Sequence, residues 1–155
     1  DGFYTQIPES GLKAFATVYA GWAYSQTWYR DAGYQQLGFQ DINELLLNWE
    51  EDHLAWDAND LLAKLATWQN ADISQNDLYR DDLKSALRGI RARTIIIACD
   101  NDLYFPPADN ELEVCNISDA ELRVYESPWG HCVASPGNDS GFRVCLDQAI
   151  SDLVG

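Results

Sequence analysis

The first 90 residues carry apolar side chains three and four positions apart, the spacing of one face of a helix. In the stretch 9–31 they follow a Ser10-Gly11 start and predict a helix; they are Leu12, Phe15, Ala16 and Tyr19. The stretch 41–71 repeats the pattern with Leu and Trp, and Asp41 followed by Glu44 fits a capping box. Another short helix is predicted over 79–90.

From residue 91 onward the pattern changes. The β-branched run 92–100 predicts a strand that is buried on both faces, as in a parallel sheet. A helix that starts with proline is predicted over 106–116, a second strand over 120–127 and a closing helix over 140–154. This βαβα order is typical of an α/β fold with helices packed on a parallel sheet. Two parallel strands leave exposed edges, so we expect further strands from another segment.

Composition excludes several classes of function. The formal net charge of −15 argues against nucleic acid and anionic membranes as partners, because phosphate contacts need a basic surface. The apolar runs are too short to span a bilayer. The two histidines lie far apart and the four cysteines form no C-x-x-C pair, so we expect no metal site and no cofactor.

Two N-x-S sequons, at Asn116 and Asn138, lie in predicted loops and accompany an even number of cysteines. The four cysteines allow three pairings, among which sequence does not choose, and they are expected to be structural rather than reactive. Together these features favour a glycosylated chain on the secretory route, with a cytoplasmic location as the alternative. The chain starts at Asp1 and contains no methionine, which predicts a processed chain or a fragment.

Acidic and imidazole side chains follow the two predicted strands. Asp100 and Asp102 come directly after the first strand, and His131 follows the second strand behind Trp129-Gly130. Strand ends in such sheets are where ligands and catalytic groups lie. An acid that orients a histidine supplies two members of a Ser-His-Asp triad, and the acid precedes the histidine in α/β-hydrolases.

The nucleophile of such a triad is missing from the sequence. No serine lies in a G-x-S-x-G motif, and neither Ser25 nor Ser127 is followed by the small residue that an elbow turn needs. We therefore expect that this chain does not catalyse alone.

Three stretches of the sequence resemble the homoserine O-acetyltransferase-like branch of the α/β-hydrolases. The stretch "NDLYFPP" (101–107) is similar to the acid loop of that family, and "WGHCVASPG" (129–137) is similar to its histidine loop. The stretch 56–74 is similar to a helix of its cap domain. The resemblance implies that Asp102 is the triad acid and His131 the base. Asp100 is then a cap of the strand end or a supporting acid.

The resemblance implies the C-terminal part of an α/β-hydrolase fold. The serine nucleophile would then lie on an N-terminal α/β-hydrolase segment, which is either a separate partner chain or was cut away. Residues 1–90 would form a mostly helical cap, and residues 91–155 would supply the last two strands and helices of the core. The segment "CVASPG" after the histidine departs from enzymes that act on homoserine and is more similar to a sub-branch of hydrolases. The favoured reaction is hydrolysis of a small-molecule ester through an acyl-enzyme. The features of a secretory route favour water as the acceptor, because acetyl-CoA is not expected outside the cytosol.

Two alternatives to ester hydrolysis stay open at this point. One is an O-acetyltransferase that uses acetyl-CoA, and the other is a non-catalytic binding module of the same fold. Among the aromatic residues, Trp129 is the candidate for a wall of the substrate pocket, while the others are expected mainly in the core of the cap. His53 lies beside two acids on a predicted helix and is expected at the surface.

Overall fold

The computed structural model describes residues 3–155 and divides them into two compact units. One unit holds the described residues up to Trp22 together with Thr27–Ala71, and the other holds Ala23–Gln26 together with Asp72–Gly155. The division into a cap over 1–90 and a core over 91–155 stays a prediction, since it concerns the roles of these residues in a longer fold.

The N-terminal half of the chain is helical, as its apolar spacing predicts. Its elements are α1 (Glu9–Ala23), α2 (Gln26–Arg30), a 3-10 turn (Gly33–Leu37), α3 (Ile42–Leu54), α4 (Ala58–Asn70) and α5 (Leu83–Arg88).

The stretch 41–71 forms two helices, each capped by an aspartate. Asp41 starts α3, where its carboxylate accepts the N–H groups of Asn43 and Glu44 at 2.7 and 3.1 Å. The Glu44 carboxylate accepts the N–H of Gln40 at 2.7 Å. A standard capping box would instead use the N–H of the cap residue itself, Asp41. Asp57 starts α4 in the same way as Asp41, by accepting the N–H of Asn59.

His53 lies in the interior of the first unit, so the expectation of a surface histidine is wrong. The residue is 6% exposed, and its ring stacks on Trp49 with a centroid distance of 5.6 Å. Its Nδ1 lies 2.9 Å from the carbonyl oxygen of Trp49. The reason is its position on α3, where one face turns toward the Phe15 and Tyr19 rings of α1.

The second unit contains a parallel sheet that, within residues 3–155, has two strands. Strand β1 (Thr94–Cys99) pairs with β2 (Ala120–Tyr125), and the register runs from Thr94 opposite Ala120 to Cys99 opposite Tyr125. Helix α6 (Pro107–Val114) connects the strands, and α7 (Ser140–Val154) follows a second 3-10 turn (Gly130–Ala134). The predicted βαβα order is therefore present.

Strand β1 is less buried than its apolar sequence predicts. Ala98 and Cys99 at its end are buried, whereas Thr94–Ile97 are half-buried. The expectation of burial on both faces is thus met only where β1 runs into the loops beyond the sheet. A sheet of two strands covers one edge of β1 and leaves the other open.

Across residues 3–155, none of the helices combines the length and apolar character that crossing a membrane requires.

Candidate active site

Asp102 lies in the turn that follows β1, and the turn fixes its carboxylate. Oδ1 accepts the backbone N–H groups of Tyr104 and Phe105 at 2.8 and 3.2 Å, the pattern of an Asx turn. Oδ2 lies 3.1 Å from Nδ1 of His131, and the Asp102 side chain is 10% exposed. One carboxylate oxygen is therefore anchored to the backbone, while the other faces the imidazole.

His131 lies in the 3-10 turn that follows β2, and one side of its ring packs against the acid loop while the other side is partly exposed to solvent. The ring centroid lies 4.6 Å from that of Tyr104 and 5.6 Å from that of Phe105, and the side chain is 27% exposed. Because an ionised carboxylate accepts hydrogen bonds only, the geometry assigns the proton to Nδ1. The Nε2 lone pair is then available to take a proton, as a general base requires.

Gly130 lets the backbone turn directly before the histidine. Its φ is +56°, in the left-handed region that favours glycine. A Cβ at this position would lie 3.1 Å from the carbonyl oxygen of Asn101, 3.1 Å from the backbone nitrogen of Ser25 and 3.2 Å from the carbonyl oxygen of Ala23. Only glycine allows this close approach of the histidine loop to the acid loop and to residues 23–25.

We expect Gly130→Ala to lower the free energy of unfolding by about 2 kcal/mol or more, because left-handed strain alone costs roughly 1–2 kcal/mol and the new Cβ also meets backbone. Urea unfolding of the whole protein measures this change. Gly137→Ala is the matched control, since Gly137 has a φ of +90° and a Cβ added there would meet nothing within 4 Å. Equal losses for the two variants would show that the close backbone neighbours of Gly130 do not contribute to the fall in the free energy of unfolding.

Asp100 supports the ends of the two strands and does not reach the histidine loop's imidazole. Its Oδ1 accepts the backbone N–H of Ser127 at 3.0 Å, and its own N–H donates to the carbonyl of Tyr125 at 3.0 Å. The structure therefore brings Asp102, and not Asp100, to His131. The catalytic roles of Asp102 and His131 stay a prediction.

Trp129, the candidate for a pocket wall, is 5% exposed, and its ring centroid lies 6.2 Å from that of Tyr24. Its part in substrate binding stays a prediction.

The sequon residues Asn116 and Asn138 are half-buried, and their amide nitrogens donate to the carbonyls of Leu112 and Cys132 at 2.8 and 2.9 Å. Their glycosylation also stays a prediction.

All four cysteines lie within the described residues and are free thiols. Cys132, next to the histidine, is half-buried, and burial raises the pKa of its thiol to about 11. Cys115 on the surface after α6 is exposed. Residues 3–155 contain no cluster of three or more His, Cys, Asp or Glu side chains that could hold a metal ion.

We expect iodoacetamide at pH 8 to modify Cys115 well before Cys132, because the thiolate is the reactive form and a thiol of this pKa is roughly one part in a thousand ionised at that pH. Peptide mass spectrometry over a time course measures both rates. Faster labelling of Cys132 would show that the thiol beside His131 is activated, and it would contradict the expectation that the cysteines are structural.

Two residues that sequence reasoning does not assign to the site support its loops. The sequence raises Ser127 only as a possible nucleophile, but its side chain donates to Asp139 at 2.7 Å. Asp139 caps α7 by accepting the N–H groups of Gly141 and Phe142. An aspartate directly before an apolar-periodic helix is a cap signal, so Asp139 could have been found in the sequence as a cap, although not as a contact of Ser127.

Two parallel strands whose following loops carry an acid and a histidine, with helices between and after the strands, form the C-terminal part of an α/β-hydrolase fold. A solved acetylester hydrolase from Corynebacterium glutamicum superposes with a TM-score of 0.86 at 25% identity, over 94% of this chain and 41% of that one. The ethyl acetate hydrolase of Pseudomonas veronii is 27% identical over 146 residues, which is 94% of this chain and 41% of that protein.

The homoserine O-acetyltransferase of Trichormus variabilis is 29% identical over 76 residues, 49% of this chain and 20% of that protein. No protein-family model matches the chain. The resemblance to the homoserine O-acetyltransferase-like branch of the α/β-hydrolases is confirmed by these relatives, which are two ester hydrolases and one acetyltransferase. The chain spans about two fifths of the length of the two hydrolases.

Proposed function

We propose that this chain supplies the acid and the base of a serine esterase, with Asp102 and His131 completing a triad whose serine lies outside these residues. The observation that carries the proposal is the distance of 3.1 Å between Oδ2 of Asp102 and Nδ1 of His131, at the carboxyl ends of two paired parallel strands. Ligands and catalytic groups collect at that edge of such sheets. The hydrolases among the relatives support ester hydrolysis.

The proposed chemistry has two steps. Nε2 of His131 takes the proton of the serine hydroxyl while the serine oxygen attacks the ester carbonyl, and the imidazolium then gives that proton to the departing alcohol. Water repeats the attack on the acyl-enzyme with the same histidine as base, which releases the carboxylic acid and the free serine. Asp102 holds the tautomer of His131 and stabilises its positive charge in both steps.

Water is the proposed acceptor and a short-chain ester, such as an acetyl ester, the proposed substrate. Two relatives that match 94% of the chain are hydrolases of acetyl esters by name, whereas the acetyltransferase matches 49% of it. The segment after His131 also departs from enzymes that act on homoserine. The second candidate is acetyl transfer from acetyl-CoA, which the acetyltransferase match favours.

The serine is proposed to reside on an N-terminal α/β-hydrolase segment, either a separate partner chain or part of the same protein. The missing G-x-S-x-G motif and the coverage of about two fifths of the hydrolase relatives support this. The sequons support a secretory route. Glycan on Asn116 or Asn138 in an intact mass spectrum would favour it, and bare asparagines together with acetyl transfer from acetyl-CoA would favour the cytoplasmic alternative.

A fluorophosphonate probe tests the proposal. We expect the native preparation to be labelled on one serine, and this serine to lie in a segment or chain that carries a nucleophile elbow. Mass spectrometry of the denatured sample locates the label. Hydrolysis of p-nitrophenyl acetate should stop in parallel with labelling. A native preparation that is folded, contains the N-terminal segment and takes up no label would support the non-catalytic binding module.

A further inference from the structure

The loop that carries His131 is tied to the start of α7 by one half-buried carboxylate. Asp139 Oδ1 accepts the N–H groups of Gly141 and Phe142 at 2.9 and 3.1 Å, and it also accepts the hydroxyl of Tyr125 at 2.9 Å. Its Oδ2 accepts the hydroxyl of Ser127 at 2.7 Å. The two oxygens of Asp139 thus receive four donors, which come from β2, from the loop after it and from α7.

Ser127 passes this connection on to the residues that hold the histidine. Its side chain is buried, and its Oγ accepts the backbone N–H of Trp129 at 3.3 Å, two residues before His131. Its backbone N–H donates to Asp100, and its carbonyl accepts the side-chain amide of Asn101 at 3.2 Å. Ser127 therefore joins the histidine loop to the acid loop as well as to Asp139.

The 3-10 turn Gly130–Ala134, which carries His131, is also attached on the C-terminal side of the histidine to the segment that contains Asp139. Asn138, the residue before Asp139, donates its side-chain amide to the carbonyl of Cys132 at 2.9 Å. The short segment 129–132 is thus held at Trp129 through Ser127 and at Cys132 through Asn138. Both attachments depend on the position of residues 138–139 at the start of α7.

We propose that Asp139 is a positioning residue for the catalytic histidine: it acts through the Ser127 hydroxyl to place His131 against Asp102. This inference rests on the proposed function of His131. It gives Asp139 a role that lies outside the triad and goes beyond capping α7. A helix cap needs one acceptor oxygen, and Asp139 devotes its second oxygen to the serine that precedes the histidine turn.

A carboxylate is the side chain that this arrangement needs. An ionised aspartate only accepts hydrogen bonds, so it satisfies all four donors together. Burial alone would raise the pKa of Asp139, but the hydrogen bonds that it accepts outweigh burial and hold this pKa below its ordinary value. An asparagine of the same shape has one acceptor oxygen. That oxygen would stay with the three donors on the Oδ1 side. The amide nitrogen would donate to Oγ of Ser127, so the proton of this buried hydroxyl would lose the acceptor that Oδ2 provides.

Asp139→Asn therefore tests the connection while it preserves the cap, since asparagine caps helices as well as aspartate does. In the native preparation that contains the nucleophile segment, we expect kcat for p-nitrophenyl acetate to fall about tenfold or more, with KM within twofold. A change limited to kcat reports on a group that acts in the transition state, because substrate binding is retained.

Asp82→Asn is the matched control. Asp82 caps α5 by accepting the N–H of Ser85 at 3.0 Å, and its other oxygen accepts the hydroxyl of the same serine at 2.6 Å. It is thus a cap with a serine contact that lies away from the histidine loop in sequence. We expect Asp82→Asn to lower the melting temperature about as much as Asp139→Asn does and to leave kcat within twofold. Equal kcat values for the two variants would overturn the proposal.

A double-mutant cycle separates positioning from general damage. If Asp139 acts through His131, Asp139→Asn added to His131→Ala should reduce the residual rate by less than twofold. A further tenfold reduction in that background would show that Asp139 acts elsewhere, and it would overturn the proposal while leaving the triad intact. Full activity of His131→Ala itself would overturn the proposed function. Ser127→Ala is the second variant if Asp139→Asn does not fold, and it should give the same kcat loss.

Discussion

Replacing His131 by alanine should lower kcat/KM for ester hydrolysis by roughly 10⁴- to 10⁶-fold, which is the range seen when members of serine triads are removed. The imidazole is the group that would take the serine proton and return it to the leaving alcohol, so its loss removes both transfers. Steady-state hydrolysis of p-nitrophenyl acetate by the whole protein measures the loss. The rate of fluorophosphonate labelling should fall in parallel, because the probe also needs an activated serine.

His53→Ala is the control for this experiment, since the chain contains two histidines and the other one lies in the aromatic cluster of the first unit. Loss of its ring should cost stability through the contacts with Trp49 and Phe15. Its kcat, measured where the protein is folded, should stay within about twofold of the wild type. A loss of less than tenfold for His131→Ala would remove this residue from the triad.

Local sequence signals predict the order of elements well because they act over short distances. The β-branched run that ends at Cys99 and the proline at the start of α6 each set one element without help from distant residues. The candidate acid and base also follow from such signals. Asp102 and His131 lie in the loops that follow the two strands, and parallel pairing brings these loops to the same edge of the sheet. The sequence does not predict the distance of 3.1 Å between Oδ2 of Asp102 and Nδ1 of His131, because it depends on how the two loops pack.

The remaining features depend on packing between segments that are distant in sequence. His53 is buried because α1 covers one face of α3, and no property of the surrounding acids shows this. The contact between Ser127 and Asp139 joins residues 12 positions apart, and neither residue belongs to a motif that predicts the other. Gly130 is one of ten glycines, and only its φ and its close neighbours distinguish it from the rest.

Replacing Asp102 by asparagine should lower kcat by roughly 10⁴-fold, with little change in KM, which is the loss that the equivalent change causes in a serine protease triad. The amide oxygen can keep the N–H groups of Tyr104 and Phe105, so the amide nitrogen would face His131. Two donors cannot face each other, so Nδ1 would have to accept a hydrogen bond and the proton would move to Nε2. In that tautomer Nε2 has no lone pair for the serine proton.

The comparison with Asp100→Asn makes this a test of the tautomer and not of acidity near the strand ends. Asp100 carries the same charge two residues earlier, but its carboxylate receives the N–H of Ser127, which an amide oxygen also accepts. We therefore expect Asp100→Asn to lower kcat by less than tenfold. Imidazole NMR can follow the change directly, because Asp102→Asn should shift the proton of His131 from Nδ1 to Nε2 and Asp100→Asn should leave it on Nδ1. Similar kcat losses for the two variants would mean that the strand ends need negative charge in general, and the specific pair of Asp102 with His131 would then not be the source of catalysis.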